Sequence, residues 1–319
     1  MISPAARMQH LSQHFFAVLS VRLAAMQAQG LDVVRLDEGS PDLPPPAHII
    51  QALTEAASCP HQHAYQPHRG PQALRQAWAE MYRRLYQIEL DPQAEVLPLL
   101  GSKEGIFHLL QAYIEPGDVV LAPDPGYVTY TRGALFAGGH IYPMPLLPES
   151  GYLPDFEAIP PQALARAKML WLNYPNNPTG ATASLDFFAR AVAFARQHNL
   201  LLCHDAAYAQ VTFDGYCAPS LLQIPEARQV GVEFNSLSKS HNMAGWRVGA
   251  LLGSPQVIQT LFTLKTNADS SHFLPVLQAA AAAMTGEQGW ITHRNEIYRQ
   301  RRDVIVSALN RMGLPVTAP

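Results

Sequence analysis

Short apolar runs that alternate with helix-patterned stretches constrain this chain more than any other feature of its sequence. Val119-Val-Leu-Ala122, Met169-Leu-Trp-Leu172 and Leu200-Leu-Leu-Cys-His204 are continuous apolar runs bounded by Pro and Asn. A strand buried on both faces reads this way, whereas a strand with one wet face alternates. Between the runs lie helical patterns. Residues 71–87 are amphipathic with Pro71 in the first turn, and Gly101-Ser-Lys-Glu-Gly105 opens a second helix, Ile106 to Ile114, that stops at Glu115-Pro-Gly117. A third runs from Phe187 to His198, just before the strand at Leu200. Strand–helix alternation predicts an α/β fold with a mostly parallel central sheet covered by helices on both faces. Ligands in such sheets collect at the carboxyl ends of the strands. The polar motifs of this chain lie there, directly after apolar runs or at helix starts.

Composition narrows the function classes. A chain of 319 residues that is 48% hydrophobic and 15% charged is globular and large enough for more than one domain. Its net charge of −3 offers no basic footprint for nucleic acid. No apolar run reaches membrane-spanning length, and the opening Met1-Ile-Ser-Pro-Ala-Ala-Arg-Met-Gln-His10 lacks the pattern of a signal peptide. Cys59, Cys203 and Cys217 have no paired metal spacing and read as thiols of a reducing cytoplasm. The 27 prolines are scattered as punctuation between elements. Among 13 histidines, His61-Gln-His63 has the look of a ligand pair but no third partner at useful spacing, so it reads as a solvated loop and no metal is expected.

The chemistry concentrates in Asn235-Ser-Leu-Ser-Lys-Ser-His-Asn-Met-Ala-Gly-Trp-Arg-Val-Gly249, which follows the apolar stretch Val230-Gly-Val-Glu-Phe234. Hydroxyls and a guanidinium around Lys239 suit a lysine that forms a Schiff base with an aldehyde cofactor bearing a phosphate. Taken alone, the stretch is also a plausible polar loop. Asp205 ends the strand before it, and Tyr208 follows. A buried carboxylate can hold a pyridine nitrogen protonated, although Asp at a strand end is more often a helix cap. Asn173-Tyr-Pro-Asn-Asn-Pro-Thr-Gly180 is rich in turn residues, Gly101-Ser-Lys103 offers N–H groups at a helix start, and Tyr127 offers a ring for stacking. Tyr65 is a loop tyrosine with no meaning in isolation.

Together these residues resemble a known family. The pattern Ser-x-Ser-Lys-x(7)-Arg-x-Gly is similar to that of fold-type I pyridoxal-phosphate enzymes. The linear order Tyr65, Ser102-Lys103, Tyr127, Asn177, Asp205, Tyr208, Ser236, Ser238, Lys239, Arg247 resembles that of the class I/II aminotransferases. Within that family the segments Glu115-Pro-Gly-Asp-Val-Val, Pro123-Asp-Pro-Gly-Tyr127, Val232-Glu-Phe and Leu264-Lys-Thr-Asn-Ala-Asp-Ser270 look most like the bacterial LL-diaminopimelate aminotransferase group. The resemblance runs most clearly from about Leu36 to about Met284.

It implies a large domain carrying pyridoxal 5'-phosphate at 45–274, an arm and part of a small domain at 1–44, and a linker helix with an incomplete small α/β domain at 275–319. Lys239 would hold the cofactor and act as general base. Ser102, Lys103, Ser236, Ser238 and Arg247 would surround the phosphate. Tyr127 would stack on the ring, Asn177 and Tyr208 would bond its phenolate oxygen, and Asp205 would pair with its nitrogen. Tyr65 would reach the neighbouring subunit's phosphate, which implies a homodimer; Gly39 and Asn267 would lie toward the substrate. The implied reaction is ping-pong transfer of an amino group between an α-amino acid and a 2-oxo acid, with diaminopimelate, aspartate or alanine as candidate donors.

The chain also departs from the family pattern. It ends at Pro319, inside the segment where the family carries an arginine that grips the substrate α-carboxylate. Arg294, Arg299, Arg301, Arg302 and Arg311 lie in or beside the helix-like stretch Glu287 to Leu309, in no matching motif, so none is assigned as that clamp. Ser240 and His241 stand where relatives carry threonine and tyrosine, and Asp37-Glu-Gly-Ser-Pro-Asp42 is more acidic than the family version; both are expected to border the substrate. A lyase on the same fold, or a shortened pyridoxal-phosphate-binding protein with little transaminase activity, remain the alternatives.

Overall fold

The computed structural model describes residues 2–10, 13, 15–37 and 39–319. Seven strands form one sheet: β1 (Val96–Leu99), β2 (Val119–Asp124), β3 (His140–Pro145), β4 (Ala167–Asn173), β5 (Leu201–Asp205), β6 (Gly231–Ser236) and β7 (Gly249–Gly253). Their order is β1-β7-β6-β5-β4-β2-β3. Pairings from β6 through to β3 are parallel, and β7 runs antiparallel to both β1 and β6.

The apolar runs are continuous because both faces of the sheet are covered. Along β4, Leu170 and Leu172 belong to one buried cluster, while Met169 and Trp171 belong to the cluster on the opposite face. Leu202 and Cys203 of β5 divide the same way. Burying whole side chains on both faces stabilises the sheet by about 1.5–3 kcal/mol for each large one.

The flanking helices follow from their own patterns. Helix Gln72–Tyr86 buries Leu74, Ala77, Trp78, Met81 and Tyr82, one stripe at helical spacing, and ends where Gln87 turns left-handed at φ 58°. Helix Leu185–Gln197 starts at Ser184, whose Oγ accepts from the Phe187 N–H at 3.2 Å. In helix Leu274–Thr285 the buried Ala279, Ala280 and Ala283 let the backbone pack against helices Ala47–Ala57 and Gln72–Tyr86. His61 lies in a single 3₁₀ turn, Pro60–Gln62, and the His63 ring is 3.2 Å from the Ala57 carbonyl.

Residues 1–44 and 275–319 contribute helices and extended segments, and no strand among the described residues. Helix Phe15–Ala28 has no buried residue. The long helix Gly289–Arg311 buries one, Arg294.

Reversal of β7 positions the site. Its first residue falls on the same sheet edge as the last residues of the other strands: Leu99 and Ser236 both register with Gly249, and Asn173 registers with Asp205. Residues far apart in sequence therefore meet along one rim.

Candidate active site

Lys239 sits in a one-turn helix, Leu237–Ser240, launched from the end of β6. Ser236 caps that turn, its Oγ accepting from the Ser238 N–H at 3.2 Å. Lys239 is half-buried, and its Nζ donates to the Gly39 carbonyl at 2.6 Å. That contact brings the segment around Gly39 to the lysine across the whole intervening sequence.

Arg247 precedes β7 in the left-handed region at φ 57°. Its Nη1 donates to Ala244 O at 2.7 Å and lies 3.4 Å from Ser238 Oγ. Gly101, at φ 81°, opens helix Ser102–Tyr113, and a Cβ there would collide with the Arg247 guanidinium. A Cβ on Gly249 would stand 2.9 Å from the Ser102 nitrogen. The absence of side chains at these positions lets guanidinium and helix N-terminus close on one spot. Lys103 lies nearby: partial burial, then the Arg132 and Arg247 charges, lower its pKa. Cations beside a helix N-terminus form a cradle for an anion such as phosphate.

At the other end is Asp205, the last residue of β5, 4% exposed. Burial raises its pKa, opposed by the hydrogen bond from Tyr130. The Tyr130 hydroxyl donates to Oδ2 at 2.9 Å, and the Ala207 N–H to Oδ1 at 3.3 Å. Tyr127 and Tyr208 are half-buried and both feel the Asp205 charge. The Tyr208 phenol is pushed up to about 12 by burial, then by Asp205 and Tyr127, so it stays a neutral donor. Asn173 joins the loop at Asn177 to this strand: its Oδ1 accepts from the Asn177 N–H at 2.7 Å and its Nδ2 donates to Asp205 O at 2.7 Å.

On the opposite face of β5, buried His204 pairs its Nδ1 with Glu233 Oε2 at 2.9 Å. Glu233 also accepts from the Tyr82 hydroxyl at 2.6 Å, the Ser220 hydroxyl at 2.8 Å and the Leu221 N–H at 2.8 Å. This satisfied carboxylate holds β5 and β6 in place beneath the rim.

Not every residue singled out in the sequence joins the group. The Asn267 amide donates to Thr263 O at 2.9 Å within its own helix, and its side chain is exposed. Tyr65 is 93% exposed and projects from the surface. Ser240 and His241, expected beside the substrate, are instead buried under the lysine turn: Ser240 Oγ donates to Ser236 O at 2.9 Å, and the His241 ring packs edge-on against Trp290 at 5.8 Å. They face the long helix rather than the rim because the turn exposes one side only.

Several residues of the site carry no local signal in the sequence. Tyr130 lies three positions beyond Tyr127 and reads as ordinary helix core. Arg132 lies in helix Val128–Phe136, outside any motif, and Asn173 opens the turn-rich segment that ends at Gly180. Arg294 is the buried member of a polar helix, a distinction that periodicity does not make.

A model of the aminotransferase class I and II family matches residues 31–319. The LL-diaminopimelate aminotransferase of Moorella thermoacetica is 47% identical over 315 residues, which is 99% of this chain and 81% of that protein. That of Desulforudis audaxviator is 48% identical over 99% of this chain and 80% of its own length. Among solved structures, apo-BacF from Bacillus subtilis superposes with a TM-score of 0.97 at 38% identity, covering 100% of this chain and 81% of the other. The aspartate aminotransferase of Rhizobium meliloti gives 0.90 at 26% identity, covering 98% and 78%. These likenesses settle the family: the chain belongs to the class I and II aminotransferases, which depend on pyridoxal 5'-phosphate.

Proposed function

We propose that this aminotransferase takes its amino group from LL-diaminopimelate and passes it to a 2-oxo acid, with Lys239 as the catalytic lysine. The likeness to two proteins of that name at 47% and 48% identity supports the donor. The single observation that carries the site assignment is the convergence of Lys239, Arg247, Gly101 and Asp205 on one sheet edge.

The residues fit the cofactor. Its phosphate needs a cationic cradle without side-chain obstruction, which Gly101, Gly249, Ser102, Lys103, Ser236, Ser238 and Arg247 supply. Its pyridine nitrogen needs a buried acid, which Asp205 supplies. When bound, pyridoxal phosphate supplies an aldehyde carbon for the substrate amine and a protonated ring that withdraws electrons from the substrate α-carbon. Asp205 would hold a proton on that ring nitrogen, and the Tyr130 hydroxyl fixes the orientation of its carboxylate. Tyr127 would stack against the ring, while Asn177 and the neutral Tyr208 would bond its phenolate oxygen. Lys239 Nζ would serve as the general base toward the substrate α-proton. Gly39, whose carbonyl meets Nζ, would border the substrate, with Asn267 on the same side.

Two further parts belong to the same proposal. The protein works as a homodimer, in which apolar Phe15, Val18 and Val21 of the unburied helix Phe15–Ala28 are covered and the projecting Tyr65 reaches the partner's phosphate. Residues 45–274 would form the large cofactor-carrying domain, 1–44 the arm and part of a small domain, and 275–319 a linker helix and further part of that small domain. No helix among the described residues is long and apolar enough to cross a membrane, and the unpaired Cys59, Cys203 and Cys217 suit a reducing cytoplasm.

The test is an absorbance record of the purified protein as LL-diaminopimelate and then a 2-oxo acid are added, repeated with aspartate and with alanine. A cofactor band that shifts with LL-diaminopimelate at the highest kcat/KM and returns with the oxo acid supports the proposal. A higher kcat/KM with aspartate or alanine overturns the donor, and turnover by Lys239→Ala at the wild-type rate overturns the lysine.

A further inference from the structure

Arg294 is the buried residue of helix Gly289–Arg311, 2% exposed, and no carboxylate pairs with it among the described residues. Its guanidinium is spent on backbone carbonyls instead. Nη1 donates to Lys239 O at 2.9 Å and to Ser240 O, and Nη2 donates to Gln210 O at 2.7 Å. Asn295 braces it, accepting from Nη2 at 2.7 Å while its own Nδ2 donates to Gln210 O at 3.0 Å. The faces of Trp290 and Tyr298 lie 5.6 and 5.9 Å from the guanidinium carbon.

A buried cation without a counter-ion is costly, and burial lowers this arginine's pKa to about 10. What it satisfies is specific. A one-turn helix leaves its last carbonyls without intrahelical donors, and Lys239 O and Ser240 O are two of these. Gln210 lies two residues beyond Tyr208. One planar fork thus ties together the segment that carries Lys239 and the segment that carries Tyr208, and joins both to the long helix.

We infer that Arg294 is a positioning residue: it sets the orientation of the Lys239 turn relative to the Tyr208 loop and couples both to helix Gly289–Arg311. The inference rests on Lys239 as the cofactor lysine. A lysine replacement keeps the charge but not the fork, because one ammonium cannot match the planar spread of donors.

The experiment uses the full chain with pyridoxal phosphate bound, comparing wild type with Arg294→Gln, Arg294→Lys and Arg299→Gln. Arg299 lies on the exposed side of the same helix and pairs with Glu296 and Asp303, so its variant controls for loss of helix stability. The readouts are kcat and KM, and the near-visible circular dichroism per bound cofactor, which reports how the ring is held. For Arg294→Gln, kcat falls by about tenfold or more, KM stays within about threefold and the dichroic band loses intensity, as misplacement of a reacting group predicts. Arg299→Gln matches wild type in all three.

If Arg294→Gln does not fold, Arg294→Lys is read in its place, with a kcat loss of about threefold or more and the same dichroic change expected. Wild-type kcat and dichroism in whichever variant folds overturn the inference, as does an equal loss in Arg299→Gln. If neither arginine variant folds while Arg299→Gln does, positioning is overturned in favour of a purely structural role. A wild-type protein without a near-visible band removable by Lys239→Ala defeats the lysine assignment, and that outcome is separate from these.

Discussion

The Tyr130 hydroxyl donates to Asp205 Oδ2 at 2.9 Å in a pocket closed to solvent, with the Tyr130 ring stacked on Trp171 at a centroid distance of 4.8 Å. The stack fixes the phenol, and the phenol fixes the carboxylate. Burial alone would favour a protonated Asp205; the donated hydrogen bond pulls in the other direction and favours the carboxylate.

Tyr130→Phe therefore raises the Asp205 pKa further and leaves Oδ2 without that donor. Loss of a hydrogen bond to a charged acceptor costs about 1.5–3 kcal/mol, and because the bond favours the charged carboxylate that the ring nitrogen would pair with, cofactor affinity falls by up to about tenfold. The acid limb of the kcat profile moves to higher pH, because Asp205 accepts a proton sooner as pH falls. A cofactor titration followed by absorbance, with rates across the acid range, checks both. Unchanged affinity and profile would show that the stack matters and the hydroxyl does not.

Gly101→Ala tests the anion cradle. The position has φ 81°, and the new methyl would meet the Arg247 guanidinium. At ψ 155° this is a region essentially open only to glycine, costing another residue about 1–3 kcal/mol, and displacement of Arg247 would remove the proposed phosphate contact. Pyridoxal phosphate binding weakens by about tenfold or more, whereas binding of dephosphorylated pyridoxal changes little. Equal weakening for both ligands places the effect elsewhere.

His241 makes stability depend on acid. Burial, and then the Arg294 charge, lower its pKa to about 3. An ordinary histidine titrates near 6.5, so between those values the unfolded chain binds a proton that the native chain refuses. The neutral native form is fully favoured above pH 6.5, and stability drains as pH falls toward 3. At pH 5 the contribution lost is about 2 kcal/mol. Urea midpoints for wild type and His241→Phe, measured at pH 7.5 and 5, separate the two: the wild type loses more on acidification. Parallel losses would mean that His241 is not the group responsible.

Lys265 closes a buried ionic cluster against the helix that opens at Gly101. Its Nζ lies 2.9 Å from both Glu104 Oε1 and Asp269 Oδ2, and its side chain is 4% exposed. Glu104 Oε2 also accepts from the Leu100 N–H at 3.1 Å, beside the cradle, and the His108 ring nitrogen lies 2.6 Å from Glu104. Glu104, His108 and Asp269 are near enough to share a metal ion, but the lysine ammonium already supplies the cation. Lys265→Met removes it and leaves two carboxylates facing each other, a loss of about 3 kcal/mol. Chemical denaturation reads that loss, and adding Glu104→Gln recovers part of it. A single variant as stable as wild type would mean the cluster contributes nothing net.

Much of this molecule is legible along the chain because its causes are local. Continuous apolar runs at 119–122 and 169–172 signal strands buried on both faces, and the structure has β2 and β4 there. The helices expected at 71–87 and 187–198 come within two residues of their bounds, whereas the one expected from Ile106 starts four residues earlier at Ser102, directly after Gly101. Lys239, Arg247 and Asp205 stand out because Schiff-base chemistry demands those residue types.

Other features are not written locally. That β7 runs backwards, and so delivers Arg247 and Gly249 to the rim, depends on its pairing with both its chain neighbour β6 and the distant β1, which the apolar pattern does not signal. The contact of Gly39 with Lys239 Nζ spans most of the chain. Ser240 and His241 looked like substrate neighbours from their place beside the lysine, yet a one-turn helix sends adjacent side chains in different directions, and these two point into the protein. Arg294 resembled its neighbours Arg299 and Arg301 in a polar helix; only packing against the lysine turn made it the buried one. Residue type and spacing determined which chemistry this protein carries. Tertiary structure decided which identical side chains take part in it, because burial and hydrogen-bond partners are properties of where chain segments meet.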